Sequence, residues 1–170
     1  MDFLKLAKDR YSERRFDGRP LSDEHIDLIL EAGRVAPTAK NMQPQRIFLL
    51  KSDEALEKLY ASTGSAYGTK TAFLLCYDKD DCWVRDTDGV DSGFVDVSIV
   101  ATHMMLEAAS IGVGTTFVMW FDADKLKREL GLEDNLVPVC ILVTGYPSEN
   151  SHPSQRHSER KDISETLCII

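Results

Sequence analysis

No apolar run in the 170-residue chain is long enough to cross a bilayer as a helix. The opening Met1-Asp2-Phe3-Leu4-Lys5 lacks the charged and apolar regions of a signal peptide, so a cytoplasmic location is expected. Four cysteines include no Cys-x-x-Cys pair, which removes support for a zinc ribbon or a thioredoxin-type motif. The four histidines (25, 103, 152 and 157) form no metal-ligand pattern, and no metal site is expected. Gly64-Ser65-Ala66-Tyr67-Gly68 places serine second and so is not a nucleophile elbow. Positive charge is scarce: the net charge of −8 argues against a broad nucleic-acid surface, although a small anion can still be held by a local basic island. No side chain stands out as catalytic. If the protein is an enzyme, a bound cofactor carries the reaction.

Length and a mixed composition fit one soluble domain over residues 1–170. Residues 2–9 have the spacing of a short amphipathic helix. Ser22 is an N-cap with Asp23 and Glu24 behind it, and Ile26, Ile29, Leu30 and Gly33 give a core-facing stripe. Strands are expected at Arg46–Leu50, Phe73–Tyr77, Phe117–Trp120 and Val137–Thr144. Helices are expected over Asp53–Tyr60, with Leu56, Leu59 and Tyr60 inward, and after the cap Asp122. Asp96 is expected to cap a helix to Ile111 that is apolar on nearly every side, hence central or packed on a second subunit. His103 and Glu107 stand four apart on it and read as core or interface residues. Cys76 and Cys140 lie in apolar runs, and all four thiols read as structural or incidental. Residues 148–161 form a polar surface arm, and Ile163–Ile170 can add a strand at an edge or to a partner. The element order predicts an α+β domain with about four core strands, of unreadable pairing order.

Two constellations carry chemistry. Arg10-Tyr11-Ser12-Glu13-Arg14-Arg15-Phe16 concentrates three guanidiniums and a serine hydroxyl in seven residues. Arg10 and Arg14 share a face on a helix, and Ser12 joins them if the chain is extended. Either geometry makes a fork-like donor set suited to a phosphate. Charge alone favours a solvated run, with Glu13 and Asp17 paired to the arginines. In the second constellation, Pro37 and Pro44 bracket Thr38-Ala39-Lys40-Asn41-Met42-Gln43 between a helix and a strand. Asn41 and Gln43 offer paired donors and acceptors that match a heterocycle displaying carbonyl and ring N–H groups. Read alone, this loop is an ordinary polar connection.

Together these stretches resemble the nitroreductase family of flavin mononucleotide (FMN) enzymes. Arg10-x-Ser12-x-Arg14 is similar to that family's N-terminal Arg-x-Ser-x-Arg motif, and Pro37–Pro44 to its Pro-Ser-x-x-Asn-x-Gln-Pro motif. Asp96 with its apolar helix and Gly112-Val113-Gly114, then Gly145-Tyr146-Pro147 with Arg156, resemble the central helix and closing segment. The resemblance implies a mainly antiparallel sheet of four to five strands flanked by helices. It also implies a homodimer with two FMN sites at the subunit interface. Arg10, Ser12, Arg14 and Arg156, with Tyr11 beside them, would hold the phosphate and ribityl chain. Pro37, Thr38, Ala39 and Asn41, with Gln43, would line the flavin from the other chain, and Thr115 and Thr116 would approach the ring through backbone groups. The implied activity is ping-pong hydride transfer from NAD(P)H through flavin N5 to nitroaromatic, quinone or similar acceptors. Alternatives are a flavin reductase that releases reduced FMN and a flavin-binding redox sensor without turnover. Thr38 replaces the family's usual serine, Gln45 and Arg46 stand where an aromatic is frequent, and the chain resembles the compact branch.

Overall fold

A computed structural model describes residues 2–170, and its helices begin where capping chemistry puts them. Helix α1 (Phe3–Asp9) starts at Asp2, whose carboxylate accepts from the Leu4 and Lys5 amides. Helix α2 (Asp23–Arg34) starts at Ser22, whose hydroxyl accepts from His25 N–H at 3.2 Å. Helix α3 (Asp53–Ser62) is capped by Ser52, and α5 (Ala123–Leu130) runs from Asp122 to a left-handed Gly131. Strands β1 (Gln45–Leu50), β2 (Thr71–Asp78), β3 (Gly114–Val118) and β4 (Leu136–Gly145) form one sheet in the order β1-β2-β4-β3. Every pairing is antiparallel, as expected for an α+β domain.

Period-two alternation splits the sheet residues between two cores. On one face Phe73, Leu75, Cys140 and Leu142 meet α2 and α4 (Gly93–Ser110) through Ile29, Val100 and Met104. On the other, Leu74, Cys76, Ile141 and Val143 meet α3 and α5 through Leu59 and Leu126. Helix α4 buries Val97, Val100, Ala101, Met104 and Ala108 yet leaves Phe94 46% and Val95 61% exposed. It is central on one side and open on the other.

Several expectations are corrected. Helix α4 begins at Gly93, so Asp96 lies inside its first turn, 2% exposed, and caps nothing on its own helix. Strand β3 starts at Gly114 and ends before Trp120, which projects 76% exposed; Thr115 and Thr116 are therefore strand residues. Tyr60 turns outward at 40% exposure because its hydroxyl donates to the Thr69 carbonyl. The tail forms no strand within the chain: a short 3-10 turn at Ile163–Glu165 precedes irregular backbone, with Ile163, Leu167, Ile169 and Ile170 exposed. Outside these corrections, Cys82 is buried, its thiol donating to the Asp78 carbonyl at 3.2 Å. His103 bonds the Ile99 carbonyl of its own helix, and no metal-ligating group of three exists among the described residues.

Candidate functional site

The basic stretch leaves α1 at Arg10 in extended backbone (φ −61°, ψ 133°) and runs along the edge strand β3. Ser12 forms a parallel bridge with Thr115, and Phe16 an antiparallel one with Pro147. The extended geometry decides the alternation left open by the sequence: Arg10, Ser12 and Arg14 share a side, while Glu13 turns the other way.

Glu13 is 2% exposed and binds no guanidinium. Its Oε1 accepts the backbone N–H of Arg14 at 2.8 Å and of Arg15 at 2.7 Å, and its Oε2 accepts the Ser151 hydroxyl. Its own amide donates to the Thr115 carbonyl at 2.9 Å, and its carbonyl accepts the Thr116 hydroxyl. Asp17 pairs with Arg19 instead. The acids expected to neutralise the stretch are thus used elsewhere. Gly114 makes the close approach possible, since a Cβ there would lie 2.5 Å from Glu13 Cγ.

The polar arm after β4 folds back over this segment. Ser148 N–H donates to the Arg15 carbonyl at 2.8 Å, and Arg15 donates to the Asn150 carbonyl at 3.2 Å. Tyr11 and Ser151 share a hydroxyl–hydroxyl bond at 2.8 Å, and Tyr11 meets His157 edge-on with ring centres 6.1 Å apart. Arg10, Tyr11, Ser12 and Arg14 then line a cleft of about 190 Å³ with Ser154, Arg156, His157 and Arg160. Four of these lining residues are arginines, and none is a carboxylate. Arg156 pairs outward with Glu159, whereas Arg14 donates only to the Ser12 carbonyl at 3.2 Å. Arg10 is half-buried against the Met105 thioether at 3.2 Å. Burial, and then repulsion from Arg160, pull its pKa below the usual arginine value. A half-buried cation facing other cations is stabilised by an anion between them.

Thr115 and Thr116 lie beneath this segment, buried, and their polar groups mostly hold it in place. The exception is the Thr115 hydroxyl oxygen. With Gln45 Oε1, it is one of two buried side-chain polar atoms without a partner among the described residues. The structure spends the Thr115 carbonyl on Glu13, which leaves the hydroxyl as that residue's free group.

The Pro37–Pro44 loop lies elsewhere. Ala39 N–H donates to Asp96 Oδ1 at 2.8 Å, while Asp96 Oδ2 accepts from Ser92. Thr38 Oγ1 accepts the Gln43 amide at 3.0 Å, and Gln43 Nε2 donates to the Asn41 carbonyl at 3.3 Å. Lys40, Asn41 and Gln43 all have positive φ (48°, 57° and 54°), so the loop is held in backbone that side chains disfavour. Such strain persists where surrounding contacts impose it, and it concentrates at functional sites. Asp96, which anchors this loop, and Met105, which touches Arg10, are nine residues apart on α4, roughly 14 Å along its axis. Among the described residues, no hydrogen bond joins the two constellations, and no residue of 37–44 lines the basic cleft.

Arg10, Tyr11, Ser12, Arg14 and Arg156 line one cleft, and Pro37, Thr38, Ala39, Asn41 and Gln43 form a second, separate group. Sequence reading missed Arg160 in the cleft, although its i+4 spacing from Arg156 was a usable signal. It also missed Asp96 as the loop's anchor and Glu13 as the segment's. Asp96's partner Ala39 lies 57 residues away, and although Glu13 bonds the amides of the next two residues, its burial and its bond to Ser151, 138 residues on, are not local.

A sequence model described as "Nitroreductase family" matches residues 7–72 and 67–146. A solved nitroreductase family protein from Clostridium difficile 630 is 38% identical, with a TM-score of 0.93 over 99% of this chain and 98% of that one. A protein from Desulfovibrio desulfuricans, provisionally named a nitroreductase and solved in complex with FMN, is 26% identical. Its TM-score is 0.85, over 100% of this chain and 97% of that one. A relative from Archaeoglobus fulgidus, provisionally named NADH dehydrogenase/NAD(P)H nitroreductase, is 27% identical over 161 residues, 86% of each chain.

Proposed function

The chain belongs to the nitroreductase family, and from that premise we propose that it is a single-domain, FMN-dependent NAD(P)H oxidoreductase. The observation that carries the reading is a cleft lined by four arginines and no carboxylate. A phosphate monoester is the dianion that such a donor set suits, and Arg10, Arg14 and Arg156 with the Ser12 hydroxyl would hold it. The unpartnered Thr115 hydroxyl beside Ser12 fits a ligand with hydroxyl groups, such as a ribityl chain. When bound, FMN supplies hydride acceptance from NAD(P)H and onward two-electron delivery to a nitroaromatic, quinone or similar acceptor, in ping-pong order through N5. The protein's part is to bind, orient and exclude. Asn41 and Gln43, in strained backbone fixed by Asp96 and Thr38, would offer their side-chain amides to the heterocycle.

The second group of residues comes, in this reading, from a second copy of the chain. The 14 Å offset between the two groups along α4 supports this, as do the open Phe94 and Val95 on the same helix. The tail supports it too. Ile163, Leu167, Ile169 and Ile170 are exposed, and β1 is an edge strand with no outer neighbour among the described residues. No helix among the described residues is long and apolar enough to cross a membrane.

The test is direct. Purified protein is expected to be yellow or to take up added FMN, and the flavin to bleach anaerobically with NADH or NADPH. Protein that stays colourless and leaves added FMN free overturns the cofactor. Flavin that binds but does not bleach with either nicotinamide overturns the activity. A monomer in sedimentation that carries a full complement of FMN overturns the shared site.

A further inference from the structure

Tyr67 is the one non-glycine residue with positive φ (52°) among those described that lies outside the Pro37–Pro44 loop. An aromatic side chain in left-handed backbone is a true outlier, for which Asn or Gly would be the cheaper choice. The following Gly68 shares the conformation (φ 68°), so the turn throws the Tyr67 ring to one side. It packs against the second core, and the Arg14 guanidinium carbon lies 5.9 Å from its centre. That is the outer edge of cation–π range. Burial raises the phenol's pKa, but the polar neighbours Ser65 and Arg14 outweigh it and the net shift is downward. Arg14 otherwise has only its bond to the Ser12 carbonyl at 3.2 Å.

We propose that Tyr67 is a positioning residue that holds the Arg14 guanidinium toward the anion in the basic cleft. It acts from the turn between α3 and β2, a segment that contributes nothing else to the cleft. The proposal rests on the reading that Arg14 binds the flavin phosphate or ribityl chain. A free Arg14 would sample many rotamers, and fixing it in advance lowers the ordering cost of binding. The turn holds a conformation that a smaller residue would adopt more easily, and the ring against Arg14 is what that conformation provides.

The experiment titrates FMN into apoprotein and follows quenching of flavin fluorescence, so it does not depend on turnover. Tyr67→Leu is expected to weaken binding about fivefold, and Tyr67→Phe, which keeps the ring, to stay within about twofold of the parent. Tyr67→Asn accepts the left-handed backbone but has no ring, and is expected to behave like Tyr67→Leu even if the latter folds poorly. In an Arg14→Gln background, Tyr67→Leu is expected to add nothing. Parent-like affinity in Tyr67→Asn, or an undiminished loss when Arg14 is already gone, overturns this inference alone. A parent protein that takes up no FMN overturns the cofactor reading and this inference with it.

Discussion

Replacing Glu13 tests whether the basic segment is held by a carboxylate that binds backbone and leaves the arginines free. Its Oε1 accepts two consecutive amides, from Arg14 and Arg15, and its Oε2 accepts Ser151. Alanine leaves two amide donors in a part-buried place without a partner. Each costs about 1–3 kcal/mol, and partial access of water puts the sum near 3 kcal/mol. For a chain of this size that is a fall in Tm of roughly 6–12 °C. Glutamine tells a different story. Its carbonyl oxygen can accept both amides, and its amide group can donate to Ser151, whose proton then turns to Tyr11, the partner 2.8 Å away. Glu13→Gln is therefore expected to cost about 1 kcal/mol or less and to retain FMN, while Glu13→Ala loses both stability and flavin. Urea unfolding of the apoproteins and absorbance of the purified proteins read the two effects. Equal damage from Gln and Ala would show that the negative charge itself matters, and a parent-like Glu13→Ala would refute the anchoring argument.

Gly114→Ala would put a Cβ 2.5 Å from Glu13 Cγ, so the segment must shift; a loss of about 1–3 kcal/mol in unfolding and reduced FMN retention are expected. Arg10→Ala combined with Arg14→Ala removes two charge-assisted donors worth about 1.5–3 kcal/mol each, so FMN affinity should fall at least about a hundredfold with little change in circular dichroism; equal flavin occupancy would remove both residues from the site. Cys76, Cys82 and Cys140 are buried within the chain, so none of the three should react with a thiol reagent in native protein, and all three should do so on unfolding. Burial holds Cys76 and Cys140 up at about 12; burial, followed by acidic neighbours, holds Cys82 at about 11. Because these values are raised on folding, their contribution is intact below pH 9 and is lost as pH climbs from there toward 12, an alkaline decline that serine or alanine at these positions should reduce.

The helix starts and the core stripes were legible in the chain because their causes are local. Ser22, Ser52 and Asp122 cap amides within three residues, and Ile26, Ile29 and Gly33 share a face by helical repeat alone. The two constellations were legible as residue types at fixed spacing. Asp96 was misread for the complementary reason: as an acid before an apolar run it matches a cap, but its real partner is the amide of Ala39. Tyr60 matched the inward stripe until the Thr69 carbonyl offered its hydroxyl a bond at the surface.

By itself, then, the sequence determined what each short segment prefers and which side chains could bind an anion or a heterocycle. Only the tertiary structure decided whether they are available to do so. Arg10 to Phe16 carries its own acid, and nothing in the order of residues says whether Glu13 quenches the arginines. Packing against β3 buries Glu13 and turns it toward backbone amides. The extended backbone puts Arg10, Ser12 and Arg14 on one side, and the returning arm adds Arg156 and Arg160. Electrostatic availability depends on distance and burial, and both are set by contacts between segments more than a hundred residues apart.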